Sequence, residues 1–300
     1  MGPRSLSVAA SLLALALIPV ARGAGPAAPL PAEKVTEIRA ALAREDFDGA
    51  ISLAERLAAS EPLSSVARMW VGRALGLKAL RSSLFTQLSW GKKCKRAFEE
   101  AVALDPEDVD ARFELARYLF VAPGLAGGNH DLARIQIGEL AKRNPSRALM
   151  TEGLMKEHEK DLSAAEAAFR KAVETAPVDH TSAGALASFL VRQKRFPEAL
   201  AFWKARIDSN PADLLARYGY ARTALDSNSG LAEAAEDLRA YLAVPPKPDG
   251  PTWADARWRL GLVLERLGQK QAAIHEIEEA LKLIPGHAGA KKDLERLRAA

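Results

Sequence analysis

Apolar and small side chains recur along most of this chain three and four positions apart. In the last third, for example, Leu260, Gly261 and Leu264 fall on one side of a helical wheel. No stretch shows the alternation of β-branched and polar residues that is typical of a half-buried strand. The pattern therefore predicts an all-α chain made of amphipathic helices.

Prolines divide this helical pattern at a regular step. They are Pro62, Pro106, Pro145, Pro177, Pro211, Pro246 and Pro285. The four from Pro145 to Pro246 are separated by 32, 34 and 35 residues, and similar segments such as AVALDP, AVETAP and ALKLIP precede several of the seven. Because proline cannot continue a helix, each one is expected to end one unit and start the next. A step near 34 residues is the period of a helix-turn-helix repeat.

Alignment on the prolines also aligns the side chains that helix pairs need for close contact. A small residue lies twelve positions before most of the prolines, at Ala50, Cys94, Ala133, Ala165, Ala199, Ala234 and Ala273. A bulky residue lies eight positions before, at Phe98, Ile137, Phe169, Trp203, Leu238 and Ile277. No hairpin can cover its own apolar stripe, so the units are expected to stack, with Gly286 to Ala300 as a polar capping helix.

From about Glu33 to Pro285 the chain resembles the tetratricopeptide repeat (TPR) family in both period and pattern. The resemblance implies a right-handed superhelical solenoid of about seven helix-turn-helix units with a C-terminal capping helix. The first helix of the last unit, expected from Ala256 to Leu267, is the nearest to the family consensus. The chain is also similar to a group of exported bacterial TPR proteins that carry an APG-x-x-GG insert, a group that brings no known activity with it.

Two units are longer than the period. In the second unit Leu80, Leu84 and Leu88 keep a helical spacing, so the first helix is expected to continue through the additional residues. These apolar residues then either pack within the repeats or form a ledge for a partner. In the third unit Ala122 to Asn129 is added before a helix expected near Asp131. It is interpreted as a tight turn, with an anion site made of backbone amides as the alternative.

The first residues have the layout of a secretory signal. Arg4 precedes an uncharged run from Ser5 to Val20, and Ala21-Arg22-Gly23 supplies small residues for cleavage after about Gly23. The chain is therefore divided into a signal peptide (1–23), a Pro/Ala-rich linker (24–32) and the repeats with their cap (33–300). A periplasmic or secreted bacterial protein without a stable membrane span after cleavage is expected, since Pro19 interrupts the apolar run before it reaches about 20 residues.

The residues of catalytic and metal sites are not grouped in this sequence. The five histidines are dispersed, and no HExxH or paired CxxC is present, so no metal, cofactor or enzymatic activity is predicted. Cys94, the only cysteine, falls on a small-residue position and is expected to be buried between helices. The net charge of +4 with interleaved signs does not favour nucleic acid as a partner.

The resemblance places the first helix of each unit on a concave face that binds polypeptides. The candidate partner-binding residues are Phe113, Arg117, Met150, Arg192, Tyr218, Arg222, Trp258 and Arg266. Rings would supply contact area and guanidinium groups would bind carboxylates of a peptide. The alternative is that several rings are buried between units. The predicted function is a scaffold that binds a protein or peptide of unknown identity. An accessory or regulatory subunit of an envelope enzyme, secretion or transport complex is the alternative.

Overall fold

The computed structural model describes residues 32–245 and 250–299, and in this part every regular element is helical. Fifteen α-helices and one short 3₁₀ turn are present there, and no strand. The helices are α1 (Ala32–Ala43), α2 (Phe47–Ser60), α3 (Ser65–Leu80), α4 (Leu84–Leu104), α5 (Val109–Val121), α6 (His130–Ala141), α7 (Pro145–His158), α8 (Leu162–Thr175), α9 (His180–Arg192), α10 (Phe196–Ser209), α11 (Leu214–Ser227), α12 (Leu231–Leu242), α13 (Trp253–Arg266), α14 (Lys270–Leu283) and α15 (Ala288–Ala299). The predicted all-α fold is confirmed, whereas the signal peptide and nearly all of the linker lie outside the described residues.

The helices α1 to α14 form seven successive antiparallel hairpins, and α15 follows as a single helix. They belong to two compact units, of which the first contains α1 to α8 and ends at Pro177. The second begins at Val178 and contains α9 to α15. In that unit Ala290, Leu294 and Leu297 of α15 are buried, as expected of an amphipathic capping helix.

The helix boundaries follow the prolines. The helices α4 and α8 end two residues before Pro106 and Pro177, and Pro145 is the first residue of α7, where its missing N–H costs no hydrogen bond. Beyond Pro106, the carboxylate of Asp108 caps α5 by accepting hydrogen bonds from the amides of Asp110 and Ala111 at 2.9 and 3.0 Å. Each proline turn therefore ends one helix and is followed at once by the next.

The bulky residues eight positions before the prolines lie in the contact between the two helices of a hairpin, as predicted, and there they meet glycines of the first helix. Gly153 on α7 faces Phe169 on α8, so closely that a Cβ atom at position 153 would lie 2.8 Å from the ring. The same contact joins Gly72 to Phe98 and Gly261 to Ile277. The absence of a side chain on the first helix lets the second approach closely and bury its bulky residue.

The first helix of the second hairpin does not continue as predicted. It ends at Leu80, and the additional residues lengthen the second helix, α4, to 21 residues. The hydroxyl of Ser82 donates a hydrogen bond to the carbonyl of Lys78, and Ser83 has an extended backbone and is the N-cap residue before α4. Serine favours such helix ends because its side chain competes for backbone hydrogen bonds. The predicted start of the first helix of the last hairpin is also wrong. This helix begins at Trp253, three residues earlier than predicted.

The APG insert forms a tight turn between α5 and α6, as predicted. Its central residues Gly124–Ala126 make one 3₁₀ turn, and Gly127 has a positive φ of 89°. The side-chain oxygen of Asn129 then caps α6 by accepting hydrogen bonds from two backbone amides at 2.9 Å. The hydroxyl of Tyr118 donates to the carbonyl of Ala126 at 2.8 Å and holds the turn against α5.

The prediction that Cys94 is buried is also confirmed. Its thiol lies between α3 and α4 and donates to the carbonyl of Gly72 at 3.2 Å. Burial raises the pKa of this thiol far above its usual range. Cys94 is therefore protonated and unreactive at neutral pH.

No helix among residues 32–245 and 250–299 combines the length and the apolar character that a bilayer span requires.

Candidate partner-binding site

The three candidate residues of the first unit are inaccessible. Phe113, Arg117 and Met150 expose only 6%, 3% and 3% of their surface. A partner cannot contact side chains buried to this degree while the unit is folded. Their positions agree with the alternative in which the rings are buried inside the repeats.

Arg117 is held in the interior by Glu114, which lies between two arginines. The carboxylate of Glu114 accepts a hydrogen bond from Arg73 Nε at 2.8 Å and another from Arg117. Burial opposes ionisation of Glu114, but the two guanidinium groups outweigh it and hold the pKa of this carboxyl below its ordinary value. The Glu114 triad (Arg73, Glu114, Arg117) is therefore a charged cluster inside the first unit.

Phe113 is covered by another buried arginine. The guanidinium of Arg147 lies 3.9 Å from the centroid of the Phe113 ring and forms an ion pair with Asp110 at 3.1 Å. Burial raises the pKa of Asp110 to about 6, although Arg147 acts in the opposite direction. The aromatic and arginine pattern of the first unit thus supplies internal packing and ion pairs.

In the second unit the candidate residues are more accessible. The first helices of its three hairpins, α9, α11 and α13, lie side by side. They bring together the partly exposed side chains of Arg192, Tyr218, Arg222 and Trp258. One guanidinium nitrogen of Arg222 donates to the hydroxyl of Ser188 at 2.6 Å, which joins α11 to α9.

Sequence reasoning missed Arg259, which completes this cluster. Its Nε donates to the hydroxyl of Tyr218 at 2.6 Å, and its guanidinium lies 5.3 Å from the Trp258 ring centroid. We refer to Ser188, Arg192, Tyr218, Arg222, Trp258 and Arg259 as the arginine face of the second unit. The sequence places Arg257, Arg259 and Arg266 on one helix, and their spacing alone does not identify which of them meets Tyr218.

The electrostatics of the arginine face favour an anion. Burial lowers the pKa of Arg222, and the positive charges of Arg259 and Arg192 lower it further, whereas Asp226 and Tyr218 act in the opposite direction. Among the described residues, no carboxylate lies within 4.0 Å of the guanidinium of Arg222 or of Arg259. Two half-buried positive charges therefore lie close together without a direct counter-ion in this part of the chain.

The two candidate residues of the last hairpin already have internal partners. The indole N–H of Trp258 donates to the carboxylate of Asp293 at 2.9 Å, and its ring lies beside that of His287. Arg266 donates to the carbonyl of Leu225. Trp258 thus presents only part of its ring on the arginine face, and the guanidinium of Arg266 links α13 to α11.

The histidines and acidic residues do not gather into a metal site in the described segments. No group of three His, Cys, Asp or Glu side chains lies close enough there to hold an ion. His158 lies beside the rings of Phe120 and His130, each with its centroid 6.0 Å away.

Models of known protein families match the repeats of this chain. One model described as a tetratricopeptide repeat matches residues 35–76, 95–148, 125–180 and 160–213, and a second with the same description matches residues 254–287. Together they span more than half of the chain. No curated protein matches it significantly.

Several solved structures are similar to this chain at low sequence identity. Yeast Tom70 is 15% identical, with 97% of this chain and 69% of that chain covered and a TM-score of 0.54. PilW, described as a widely conserved type IV pilus biogenesis factor, is 19% identical over 75% of this chain and 98% of its own, with a TM-score of 0.46. YrrB, described as a TPR protein with an unusual peptide-binding site, is 19% identical over 67% of this chain and 99% of its own, with a TM-score of 0.41. At 15% identity the likeness to Tom70 bears on the fold alone.

Proposed function

Because the chain belongs to the tetratricopeptide repeat family, we propose that it is a scaffold that binds acidic polypeptide segments through the arginine face of its second unit. Proteins of this family are typically non-catalytic. Membership of this family supports the binding of polypeptides in general. The arginine face supports the proposal that binding takes place on the second unit and that the bound segment is acidic.

The pair of Arg222 and Arg259 carries this proposal. A half-buried guanidinium loses part of its hydration, and a neighbouring positive charge adds repulsion, so each group gains from an anion that approaches. A carboxylate from a partner would form charge-assisted hydrogen bonds with either group. The rings of Tyr218 and Trp258 lie beside the guanidinium of Arg259 and offer ring surface to the adjoining residues of the peptide.

The binding mode differs from the terminal-carboxylate clamp known in some members of this family. That clamp uses paired lysines and asparagines on first helices, and neither residue type occurs at the corresponding positions of α9, α11 and α13. Arginine binds carboxylates through a planar, bidentate fork, which suits Asp and Glu side chains along a peptide.

A peptide selection tests the proposal. Peptides that bind the chain in a random-sequence library are expected to be rich in Asp and Glu. The Arg222→Gln, Arg259→Gln double variant should bind the selected peptides at least about tenfold more weakly, since one hydrogen bond to a charged group contributes about 1.5 to 3 kcal/mol. Dissociation constants from fluorescence anisotropy provide the measurement.

A matched double variant controls for net charge. Arg195→Gln with Arg298→Gln removes one partly exposed and one exposed arginine, which already pair with Glu198 and Glu278, each at 2.6 Å. Peptide affinity should stay within about twofold of wild type. Equal weakening in both double variants, or none in either, would contradict binding at the arginine face.

We further propose that the scaffold acts outside the cytoplasm. The signal-like layout of residues 1–23 supports this location. When the chain is expressed in a Gram-negative host, cell fractionation is expected to find it in the periplasm. Its intact mass should correspond to a chain that begins at Ala24. Recovery of the uncleaved chain from the cytoplasm alone would contradict export.

A further inference from the structure

The start of α4 and the APG turn carry exposed apolar side chains in the first unit. Leu84 and Phe85, the first two residues of α4, expose 70% and 94% of their surface. Leu125 of the APG turn exposes 78%, and Pro123 of the same turn is also exposed. We refer to Leu84, Phe85, Pro123 and Leu125 as the apolar tip. Grouped apolar side chains at a surface mark a site of contact with a partner or a membrane.

Contacts between α4 and the APG turn hold the two parts of the apolar tip at one end of the unit. Leu88 of α4 and Pro123 of the turn line the same small cavity. A Cβ atom at Gly91 would lie 3.5 Å from the Cβ of Ala126. Leu84 is one helical turn before Leu88 on the same side of α4, so it also lies toward the APG turn.

The charges that accompany the apolar tip have one sign. Residues 62–98, which include α3 and most of α4, contain eight lysines and arginines and no aspartate or glutamate. The whole chain, by contrast, has 42 basic and 38 acidic side chains. Of the eight, Arg73 is buried and the other seven are exposed or partly exposed. This segment therefore concentrates positive charge at the surface of the first unit.

Two adjacent lysines of α4 have charges that a partner can contact. Lys92 and Lys93 are exposed, and no carboxylate of the described residues lies within 4.0 Å of either ammonium group, whereas the next two basic residues pair with Glu99 and Glu100. The ammonium of Lys93 lies 4.6 Å from the centroid of the Trp90 ring. We refer to Lys92 and Lys93 as the basic pair.

The distance from the apolar tip to the basic pair matches the headgroup layer of a bilayer. Lys92 and Lys93 follow Phe85 by seven and eight residues, which is about 10 to 12 Å along α4 at roughly 1.5 Å per residue. Apolar side chains of peripheral proteins enter a bilayer about 5 to 10 Å deep. With Phe85 at that depth and the start of α4 foremost, the basic pair lies at the level of the lipid phosphates.

The backbone at the start of α4 also suits a headgroup layer. Its N-cap residue, Ser83, makes no side-chain hydrogen bond to the first amides of the helix. Phosphate oxygens and water can accept from these amides, which carry the positive end of the helix dipole. A polypeptide partner would need a pocket shaped to the protruding Phe85 ring, whereas fluid acyl chains need none. We propose that the apolar tip and the basic pair dock the first unit on a bilayer that contains anionic phospholipid.

A fluorescent label on the APG turn measures docking at the proposed place. Gly124→Cys puts a thiol where a side chain meets no atom within 4 Å, and the buried, protonated Cys94 does not compete for the reagent. Vesicles of equal parts phosphatidylglycerol and phosphatidylcholine should shift the emission of the labelled full chain to the blue. Vesicles of phosphatidylcholine alone should require at least about tenfold more lipid. No shift with the mixed vesicles would overturn the proposal.

A label at the opposite end of α3 is the matched control. Leu63 is 83% exposed and precedes α3, whose 16 residues span about 24 Å. The emission of labelled Leu63→Cys should not change with the same vesicles. Equal shifts at positions 63 and 124 would contradict docking through the apolar tip.

Replacement of the basic pair tests the electrostatic part of the proposal. Lys92→Gln with Lys93→Gln should weaken co-sedimentation with the mixed vesicles about tenfold to thirtyfold, because each lysine near an anionic surface contributes a factor of about five. Lys291→Gln with Lys292→Gln removes another exposed adjacent pair, on α15, and should leave binding within about twofold. Equal weakening by the two double variants would contradict a specific role of the basic pair.

Replacement of two residues of the apolar tip tests the apolar part. Phe85→Gln with Leu125→Gln should weaken binding to the mixed vesicles at least about tenfold. The matched control is Leu63→Gln with Val178→Gln, which replaces side chains that are 83% and 85% exposed, and it should stay within about twofold. Circular dichroism and melting temperatures establish that the variants are folded. Unchanged binding in the folded Phe85→Gln, Leu125→Gln variant would overturn the proposal.

Two further measurements separate a membrane from other occupants of the apolar tip. Sedimentation velocity without lipid is expected to show a monomer. A dimer that disappears in Phe85→Gln, Leu125→Gln would assign the apolar tip to a second copy of the chain instead. Acidic peptides that bind the arginine face should leave vesicle binding unchanged, and displacement of the vesicles by such peptides would assign the apolar tip to a polypeptide.

Discussion

Replacement of Glu114 by alanine is expected to lower the free energy of unfolding of the first unit by about 3 to 5 kcal/mol. Glu114 is the carboxylate between Arg73 and Arg117, and its removal would leave two buried guanidinium groups without their shared counter-ion. Hydrogen exchange followed by mass spectrometry measures the effect. Amides of α3 and α5 should lose protection, and those of α11 and α13 provide a reference in the same sample.

A triple variant separates loss of the charged cluster from loss of packing. Arg73→Met, Glu114→Leu and Arg117→Met together replace the cluster by apolar side chains of similar size. Such replacements are often neutral or stabilising, because the cost of burying the charges is removed with their attraction. In the triple variant, the amides of α3 and α5 should therefore regain most of the protection from hydrogen exchange that Glu114→Ala removes. Unchanged protection in Glu114→Ala itself would show that the Glu114 triad does not stabilise this unit.

The same residue sets the direction of a pH effect. The pKa of Glu114 in the folded chain lies below its unfolded value. Its contribution to the free energy of unfolding is therefore complete at a pH above the unfolded pKa. It is lost as the pH falls through the folded pKa. The destabilisation caused by Glu114→Ala should therefore be largest near neutral pH and should shrink in acid.

The repeat architecture could be predicted from the sequence because it depends on local signals. The spacing of apolar and small residues identifies the helices and the contacts within each hairpin, and Pro106, Pro145 and Pro177 mark helix ends through a missing N–H. Phe169 lies eight residues before Pro177, and this distance predicts its place in the contact between helices. None of these signals depends on how far one hairpin lies from the next.

The candidate site could be predicted only in part, because spacing shows which residues share a helix face but not how deeply that face is buried. Phe113 and Arg117 occupy the positions equivalent to Tyr218 and Arg222, yet the first pair is buried and the second is partly exposed. The difference arises from acidic neighbours. In the first unit the buried carboxylate of Glu114 forms ion pairs with Arg73 and Arg117. In the second unit no carboxylate of the described residues contacts Arg222.

The incorrect prediction for the second hairpin has a simple geometric cause. Leu80, Leu84 and Leu88 keep the spacing of one continuous helix, although the chain reverses direction within that stretch. The break needs only the three residues from Arg81 to Ser83, too few to disturb the apparent period. A periodic pattern therefore does not reveal a short turn that replaces one helical turn.

Substitutions at the contact of Gly153 with Phe169 are expected to show a reversal of sign. Phe169 is fully buried, so Phe169→Ala alone should destabilise the first unit by about 3 to 5 kcal/mol through loss of contacts and the cavity that remains. Gly153→Ala alone places a methyl group 2.8 Å from the ring. Overpacking of this kind costs about 1 to 3 kcal/mol, which exceeds the gain of about 1 kcal/mol in helix propensity.

In the Phe169→Ala background, the same Gly153→Ala substitution should become stabilising by about 1 kcal/mol. The ring that obstructs the methyl group is then absent, and only the gain in helix propensity remains. Gly138→Ala on α6 is the matched control and should stabilise α6 equally in both backgrounds, because its surroundings are open. Urea titrations of the four combinations, with hydrogen exchange of α7 and α8, measure the coupling energy. Simple additivity of the two substitutions would show that the close approach of α7 and α8 does not depend on the missing side chain at position 153.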